Sequence, residues 1–474
     1  MVRFDKAITF MIIPFYYEGG HQPISSIWTL DNDNQPDKED SDYLYPHILN
    51  FLKGKMTKNI QNKDALDVYR LNEQSEEYRL FWKKFASKTQ IAKIDDLTNV
   101  EFKFVTGNPT PLFMAPHLFI SQEGNIGILT FAVEPTNIRD LQILENLNYH
   151  LHKLQKPLGE CMTKGFKLND RVPEDVKLNV KKEVQHAYNA FYQRDGNDTE
   201  LAQDFVWNMK QLVSFLLSGF ILFCPSRIHL FTFCTCDNNN DNQIFREKIL
   251  SRLLRLSRCV NNKYILAVEQ LEDKTSYLKT FDNIYISASV EGAAMIALAT
   301  EENKGFISNM EQALERYLWI YVLALIQRYS LLSLDRRISQ IKFQVNHDML
   351  PFMNIIGILK SHCSYTEVSP FAQHNQFYKF CCDKLNIINS YEEIEHKSNF
   401  LNLVLEQQAE YGQRRLNLLV GILTVFQMAD AIFTFTNSEP WENLWPSIAT
   451  LCIGCLIICL IFRKDILSFF NNHF

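Results

Sequence analysis

Polar side chains line one side of an apolar stretch near the end of the chain. The stretch is Leu416–Thr436, and at ~100° per residue on a helix its polar residues fall within an arc of about 140°, opposite an apolar side. Polar groups in hydrocarbon are costly, ~2.5–3.5 kcal/mol for a mid-helix Asp on insertion scales, so they normally face protein or water. The arc predicts several copies of this helix around a polar lumen, with a non-conducting packing seam as the alternative. The predicted pore-lining residues are Asn417, Thr424, Gln427, Asp430, Thr434 and, just beyond the stretch, Asn437.

Asp430 is the most informative of these residues. An acid at this position is a cation site, a gating charge near the outer mouth of a pore, or a side chain that reaches the membrane interface. The sequence leaves these three roles open.

Arginines recur on a predicted helix at about 244–259. Arg252, Arg255 and Arg258 lie at i, i+3 and i+6, with Arg246 and Lys248 one or two turns earlier. Guanidinium forks match phosphate oxygens, so this face predicts binding of a small anionic ligand such as a nucleotide. The alternative is an ordinary solvated helix face.

Arg227 and His229, at the start of the predicted strand HLFTFCTC, are a second candidate for the same ligand. The chain has no P-loop and no GxGxxG motif. No GxSxG, HExxH or paired-carboxylate motif stands out either, so we expect no enzyme.

Two apolar segments in a hairpin would position the pore residues. They are Leu416–Thr436 and Trp445–Phe462, joined by the loop 437–444, and each approaches the ~20 residues that span a bilayer core. Arg414-Arg415 precede the hairpin and Arg463-Lys464 follow it, whereas the loop has no basic residue. The positive-inside rule then places both termini, and the tail 463–474, in the cytoplasm and the protein in the inner membrane.

The part upstream reads as an α+β (α/β-type) cytoplasmic domain over residues 1–290. Predicted strands include a buried first strand at 7–17 and strands at 102–105, 118–121, 126–133, 229–236, 264–268 and 283–288, with a turn at Gly124-Asn125. Residues 43–95 and 141–217 read as mainly helical. The small residues Glu291-Gly292-Ala293-Ala294 indicate close helix packing.

Residues 291–415 read as a helical bundle and stalk. The apolar run Tyr317–Ile326 is too short to span a membrane, so a buried bundle helix is predicted, with a re-entrant segment as the alternative. A long helix is predicted over 391–436, begun by a capping box of Ser390 and Glu393. Ile394, Leu401, Val404 and Tyr411 have heptad-like spacing along it, which favours packing against neighbouring copies.

Composition excludes some classes of function. The 48 basic and 54 acidic residues give a net charge of −6, which argues against direct nucleic-acid binding. The 11 Cys residues have neither a disulfide framework nor zinc-finger spacing, and they fit a reducing cytosol. A zinc site assembled from His362, Cys363, His374, Cys381 and Cys382 matches no known spacing.

The C-terminal region resembles the CorA family of divalent-cation channels. The resemblance covers about 391–474: a stalk helix that runs into RRLNLLVGILTVFQMADAIF, a short acidic loop, a second span and a basic tail. It implies a homopentamer in which a cytoplasmic α/β domain sits on stalk helices that become the pore-lining first span. The family's Gly-Met-Asn signature is replaced by Phe435-Thr436-Asn437-Ser438, and Asn437 is the one position that matches its asparagine.

Divergent CorA-like proteins occur as membrane effectors of type III CRISPR antiviral defence. The resemblance therefore implies an ion channel gated by a cytosolic nucleotide messenger, with the lipid bilayer and its own copies as further partners. A divergent divalent metal (Mg/Co/Zn) transporter, which would bind a divalent cation, is the alternative, and a non-conducting membrane-tethered binding protein is a third. No other cofactor is implied.

Overall fold

A computed structural model describes much of the chain. The described residues are 2–17, 27–30, 43–48, 66–75, 90–95, 98–105, 115–121, 124–153, 212–213, 216–217, 220–224, 227–237, 243–267, 273–281, 283–299, 310–340 and 365–436, with single residues at 82, 86 and 357. The chain divides into two compact units. The first comprises Met1–Ile341 and Met349–Ile394, and the second comprises Lys342–Asp348 and Glu395–Phe474.

The described part of the first unit is a mixed α+β fold around one large sheet. The strands are β1 (Phe4–Tyr16), β2 (Trp28–Leu30), β3 (Asp67–Leu71), β4 (Gln90–Asp95), β5 (Thr98–Phe104), β6 (His117–Ser121), β7 (Ile126–Pro135), β8 (Ile221–Leu222), β9 (His229–Asp237), β10 (Leu278–Phe281), β11 (Ile284–Ala288) and β12 (Gly292–Ala299). The main helices are α1 (Leu141–Leu151), α2 (Gln243–Ser257), α3 (Met310–Gln340), α4 (Ala372–Lys384) and α5 (Ile387–Thr436).

The sheet is organised around β1. The strand order is β10-β11-β12-β9-β1-β7-β6-β3-β2; β5 also pairs with β7, β4 with β5, and β8 with the end of β1. Among these described pairs β9 and β12 are parallel and the rest are antiparallel. Helix α2 lies in the connection between β9 and the β10–β12 strands, as a parallel pair requires a crossover.

β1 is buried on both faces because helices cover both sides of the sheet. Its thirteen residues are almost continuously apolar, which is typical of a strand covered on two sides. Ala7, Met11 and Ile13 belong to the core that includes α1 and α2, whereas Phe10 and Ile12 belong to the core that includes α3 and α4. The alternation follows from the two-residue period of a strand.

Several strand predictions are confirmed. The buried first strand and the strands at 102–105, 118–121, 126–133, 229–236 and 283–288 all overlap observed strands. The predicted turn at Gly124-Asn125 joins β6 to β7, and Asn125 has φ 50°, a left-handed conformation that Asn tolerates.

Three expectations for the first unit are wrong. Residues 264–267 form a loop rather than a strand, and β3 and β4 lie in the region 43–95 that the sequence pattern predicts as helical. The sheet also continues past residue 290, because Gly292-Ala293-Ala294 begins β12 and does not form a helix contact. A Cβ at Gly292 would lie 2.5 Å from the Leu230 carbonyl oxygen, so the small residues permit close approach of β12 to β9.

The apolar run Tyr317–Ile326 lies in the middle of α3, and its predicted burial is confirmed. Leu314–Ser339 is the one helical stretch, among the residues described, that is long and apolar enough to cross a membrane, and 89% of its most apolar window is buried inside the protein. It packs against the sheet and against α4 rather than within a helical bundle. Its apolar character is therefore that of a core helix.

The long helix predicted over 391–436 is confirmed and begins slightly earlier. Helix α5 has 50 residues, or ~75 Å at ~1.5 Å per residue. Asn386, with φ 57°, separates it from α4; it follows the C-cap Leu385, and a left-handed residue at this position commonly ends a helix. Ser390 is therefore inside the helix, where its Oγ donates to the Asn386 carbonyl oxygen at 2.8 Å, and the predicted capping box is wrong. The loop 437–444, the second span Trp445–Phe462 and the tail 463–474 lie outside the described residues.

A substitution at Gly127, which lies close to Phe15, tests the pairing of β1 with β7. The two residues are paired between β7 and β1, and a Cβ on Gly127 would lie 2.0 Å from the Phe15 ring. We expect Gly127→Ala to destabilise the fold by about 1–3 kcal/mol, because buried overpacking forces side chains off their rotamers. Thermal unfolding of the purified protein measures the effect.

Gly412 provides the control. It lies in α5, where an added Cβ would have no neighbouring atom of the described residues within 4 Å, so Gly412→Ala should be neutral or stabilising by up to ~1 kcal/mol. Equal melting temperatures for wild type and Gly127→Ala would contradict the described β1–β7 register.

Candidate functional site

The arginine face of α2 meets a buried acid on α1. The side chain of Glu145 is 0% exposed, and Arg252 Nη1 donates to its Oε2 at 2.8 Å. Arg255 Nη1 lies 3.9 Å from the same oxygen, and Arg252 Nη2 donates to Gln142 Oε1 at 3.5 Å. The side chain of Arg252 is 25% exposed and that of Arg255 is 16% exposed. Two of the predicted phosphate-binding arginines therefore already compensate an internal charge.

Glu145 is buried because of its position on α1. The helix begins after Asp140, whose side chain accepts from the Gln142 backbone N–H at 3.0 Å, an N-cap contact. Leu141, Leu144 and Leu151 form the buried stripe, and Glu145 falls on that stripe. The sequence carried this signal, since an acid at i+4 from Leu141 lies on the face that packs against the sheet.

Burial raises the pKa of Glu145 to about 7, and the attraction of Arg252 and Arg255 opposes this shift without cancelling it. Glu145 Oε1 and Arg255 Nε have no hydrogen-bond partner among the residues that the structure describes. A buried carboxylate with one unpaired oxygen carries a desolvation cost. The group is therefore poised to change charge near neutral pH.

One turn further along α1, a polar network joins the helix to the two central strands. Asn148 Nδ2 donates to Thr232 Oγ1 at 2.6 Å, and Thr9 Oγ1 donates to Asn148 Oδ1 at 3.2 Å. The two threonine hydroxyls are 3.1 Å apart, and all three residues are fully buried. Satisfied buried polar groups specify one docking of α1 on β1 and β9.

The structure separates His229 from the arginines. His229 lies on the opposite face of the sheet, where its Nε2 hydrogen-bonds the Tyr329 hydroxyl of α3 at 2.5 Å. Burial lowers its pKa to about 3, and the positive charge of Arg328 adds to the shift. A neutral imidazole in this position ties β9 to α3 and offers no charge to an anionic ligand.

Arg227 and Arg258 lie at the surface of the first unit. Arg227 is exposed, and its backbone pairs with Lys153 in an isolated antiparallel bridge after α1. Arg258 is half-buried just after the end of α2. The five residues predicted to bind one ligand thus occupy three places: Arg252 and Arg255 at Glu145, Arg227 and Arg258 at the surface, and His229 under α3.

The polar arc of the predicted pore lies in α5. Asn417, Thr424 and Gln427 are exposed in the single chain, and Thr424 Oγ1 donates to the Val420 carbonyl oxygen at 2.7 Å. This i−4 bond satisfies the hydroxyl within its own helix. The backbone of Asp430 and Thr434 belongs to α5, but their side chains, and all of Asn437, lie outside the described part of the chain.

The sequence pattern does not predict a cluster of hydrogen bonds and ring contacts around His374. His374 Nδ1 is 3.0 Å from Ser369 Oγ, which donates in turn to the Tyr43 carbonyl oxygen. The Arg316 guanidinium lies 2.8 Å from the centre of the Tyr43 ring. These contacts hold residues 43–48 against the start of α4, and no local pattern links positions so far apart in sequence.

Metal ligands do not gather in the described residues. Those residues contain no group of three or more His, Cys, Asp or Glu side chains that could hold a metal ion. Burial raises the pKa of the Cys381 thiol well above its usual range and that of Cys382 to about 11. His362 and Cys363 lie outside the described residues.

Comparison of the chain with protein-family models, curated proteins and solved structures gives no match.

Removal of Arg252 tests the buried ion pair. At pH 8, where Glu145 is mostly charged, Arg252→Ala should destabilise the protein by about 1–2 kcal/mol, because Glu145, with a pKa of about 7, takes up a proton once Arg252 is removed and the hydrogen bond between them is lost. Lys248→Ala, at an exposed position of the same helix, should change stability by less than ~0.5 kcal/mol. Adding Glu145→Gln to Arg252→Ala should recover much of the loss. Thermal unfolding of the wild type, Lys248→Ala, Arg252→Ala, Glu145→Gln and the double variant measures the coupling, and additive effects in the double variant would contradict a direct pair.

The pKa of Glu145 gives a second, independent test. Because its folded-state pKa is about 7 against an ordinary value of 4.5, the folded protein binds the proton more tightly. Its contribution to stability is full below pH 4.5 and is lost as the pH rises through 7, by roughly 3 kcal/mol in total. Glu145→Gln should flatten this part of the stability profile between pH 4.5 and 7.5. An unchanged slope would show that another group titrates there.

Proposed function

We propose that this protein is a CorA-like homo-oligomeric ion channel, a pentamer in the inner membrane, that is opened by a cytosolic ligand. One observation carries the proposal: α5 is a single helix from Ile387 to Thr436, which begins in the first unit and contains the whole first apolar segment. A continuous helix transmits movement from a ligand-binding domain to a pore without a flexible joint.

The exposure of α5 supports both a membrane environment and self-association. Leu416, Leu419, Val420 and Met428 are 56–64% exposed in the single chain, and apolar side chains left this exposed require lipid or protein around them. Nearer the first unit, Phe400, Leu403 and Tyr411 are 59–61% exposed. One helix cannot cover an apolar side and enclose a polar arc, so several copies are needed.

The ligand is proposed to be a nucleotide messenger, and the context type III CRISPR antiviral defence. This part rests on the CorA-like resemblance of the C-terminal region. The mechanism would be a population shift, in which the ligand binds one arrangement of the first units better than another. Both termini would then lie in the cytoplasm with the ligand.

Ion flux tests this proposal. The purified protein is reconstituted in liposomes, and efflux of K⁺ and uptake of Mg²⁺ are measured with and without nucleotides. A nucleotide-dependent flux is the expected result. Constitutive Mg²⁺ uptake alone would favour the divalent-metal transporter, and a monomer without flux in native mass spectrometry would favour a tethered binding protein.

Asp430 tests which side of α5 faces the lumen. Asp430→Ala should change unitary conductance and cation selectivity several-fold, because a ring of carboxylates in a pore sets the local cation concentration. Thr436→Ala is the matched control, since Thr436 falls on the opposite side of the helix by the ~100° spacing. Unchanged currents in Asp430→Ala, or equal changes in both variants, would remove the polar arc from the pore.

A further inference from the structure

Basic and aromatic side chains meet at the C-terminal end of α1. Lys153 Nζ lies 3.5 Å from the centre of the Tyr149 ring, a cation–π contact. The backbone of Lys153 pairs with that of Arg227, and the Ile228 N–H donates to the His152 carbonyl oxygen at 3.0 Å. The bridge brings two cations from distant parts of the sequence to one place.

The loop 261–267 adds a second ring and a third cation. The Tyr264 ring centre is 6.5 Å from that of Tyr149, at an interplanar angle of 48°. Lys263 is exposed, Tyr264 is 53% exposed, and the neighbouring Ile265 is 93% exposed. The Asn261 side chain accepts from the Lys263 backbone N–H at 3.2 Å, which helps to define the loop.

One acid of the described residues, Glu291, lies near these cations and is hydrogen-bonded within its own turn. Glu291, on the β11–β12 turn, contributes to the electrostatics of His152 and accepts a hydrogen bond from Ser289 Oγ at 2.9 Å. The Glu291 backbone N–H also donates to Ser289 Oγ at 3.0 Å. These contacts close the turn, and the one negative charge of Glu291 is outnumbered by the positive charges of Lys153, which is half-buried, and of Arg227 and Lys263, which are exposed.

We propose that Tyr149, Lys153, Arg227, Lys263 and Tyr264 form a binding surface for a nucleotide. Aromatic rings stack on bases, and lysine and arginine neutralise phosphates. A ligand that satisfies both must carry a ring and an anionic group, and nucleotides are the common class with both. This proposal rests on the proposed function only in that the bound nucleotide would control the channel. The surface is separate from Arg252 and Arg255, which form ion pairs with Glu145.

Equilibrium binding to the full-length, detergent-purified protein tests the surface. The probes are ATP, adenosine, which lacks phosphate, and pyrophosphate, which lacks a ring. ATP should bind more tightly than either of the others. Lys153→Ala and Arg227→Ala should each weaken ATP and pyrophosphate binding by about tenfold, as loss of a charge-assisted contact does.

Tyr264→Ala separates a nucleotide site from a simple anion site. It should weaken ATP binding by about tenfold, as loss of a base–aromatic stack does, and leave pyrophosphate binding unchanged. Ile265→Ser is the matched control in the same loop and Lys384→Ala is the control for a lysine beside an aromatic ring elsewhere; both should bind ATP as the wild type does.

Three results would overturn the surface. They are no ATP binding by the folded wild-type protein, equal affinity for ATP and pyrophosphate, and normal ATP binding by the three variants. Failure of the channel proposal is distinguishable from these. If ATP binds as expected but no flux is found, the binding surface is supported and the channel proposal is wrong. If nucleotides open the channel but the variants bind ATP normally, the channel is supported and the proposed surface is wrong.

Discussion

The first unit depends on covering both faces of one strand. β1 runs for thirteen residues through the middle of the sheet, and its side chains are buried alternately in two cores. Burial of each large apolar side chain contributes about 1.5–3 kcal/mol, so the strand is stable only with a helix layer on either side. α1 and α2 form one layer, and α3 and α4 form the other. The apolar character of α3 follows from this requirement and not from a membrane.

The packing of helices on both faces of the sheet also determines which charged side chains of the candidate sites meet. Glu145 lies on the buried stripe of α1, and Arg252 and Arg255 reach it from α2. A buried acid is accommodated by such partners or by taking up a proton, and the pKa of Glu145, about 7, reflects both. Arg252 and Arg255 are thus paired with a buried acid, whereas Lys153 and Arg227, which no local motif joins, meet in one backbone bridge.

Helix α5 belongs to both units of the chain. Its start is set by the packing of α4 and Asn386 on the first unit, and its remainder carries exposed apolar side chains along the second unit. The described residues of one chain leave these side chains largely exposed. Lipid and further copies of the chain provide the cover in the proposed channel, and the continuity of the helix is the mechanical basis of the proposed gating.

Local patterns determined the elements whose signal is short-range. The strands at 126–133 and 229–236, the turn at Asn125, the burial of Tyr317–Ile326 and the long helix to Thr436 all follow from periodicity, turn chemistry and segment length. The α+β class follows from their order. The tertiary structure alone decided that Gly292–Ala299 is a strand, because alanines and glycine suit close packing of any element and only pairing with β9 and β11 makes them a strand. It alone also decided which charges meet, since Glu145 and Arg252 are 107 positions apart and a contact of that kind depends on how the chain returns to the sheet, which no local pattern encodes.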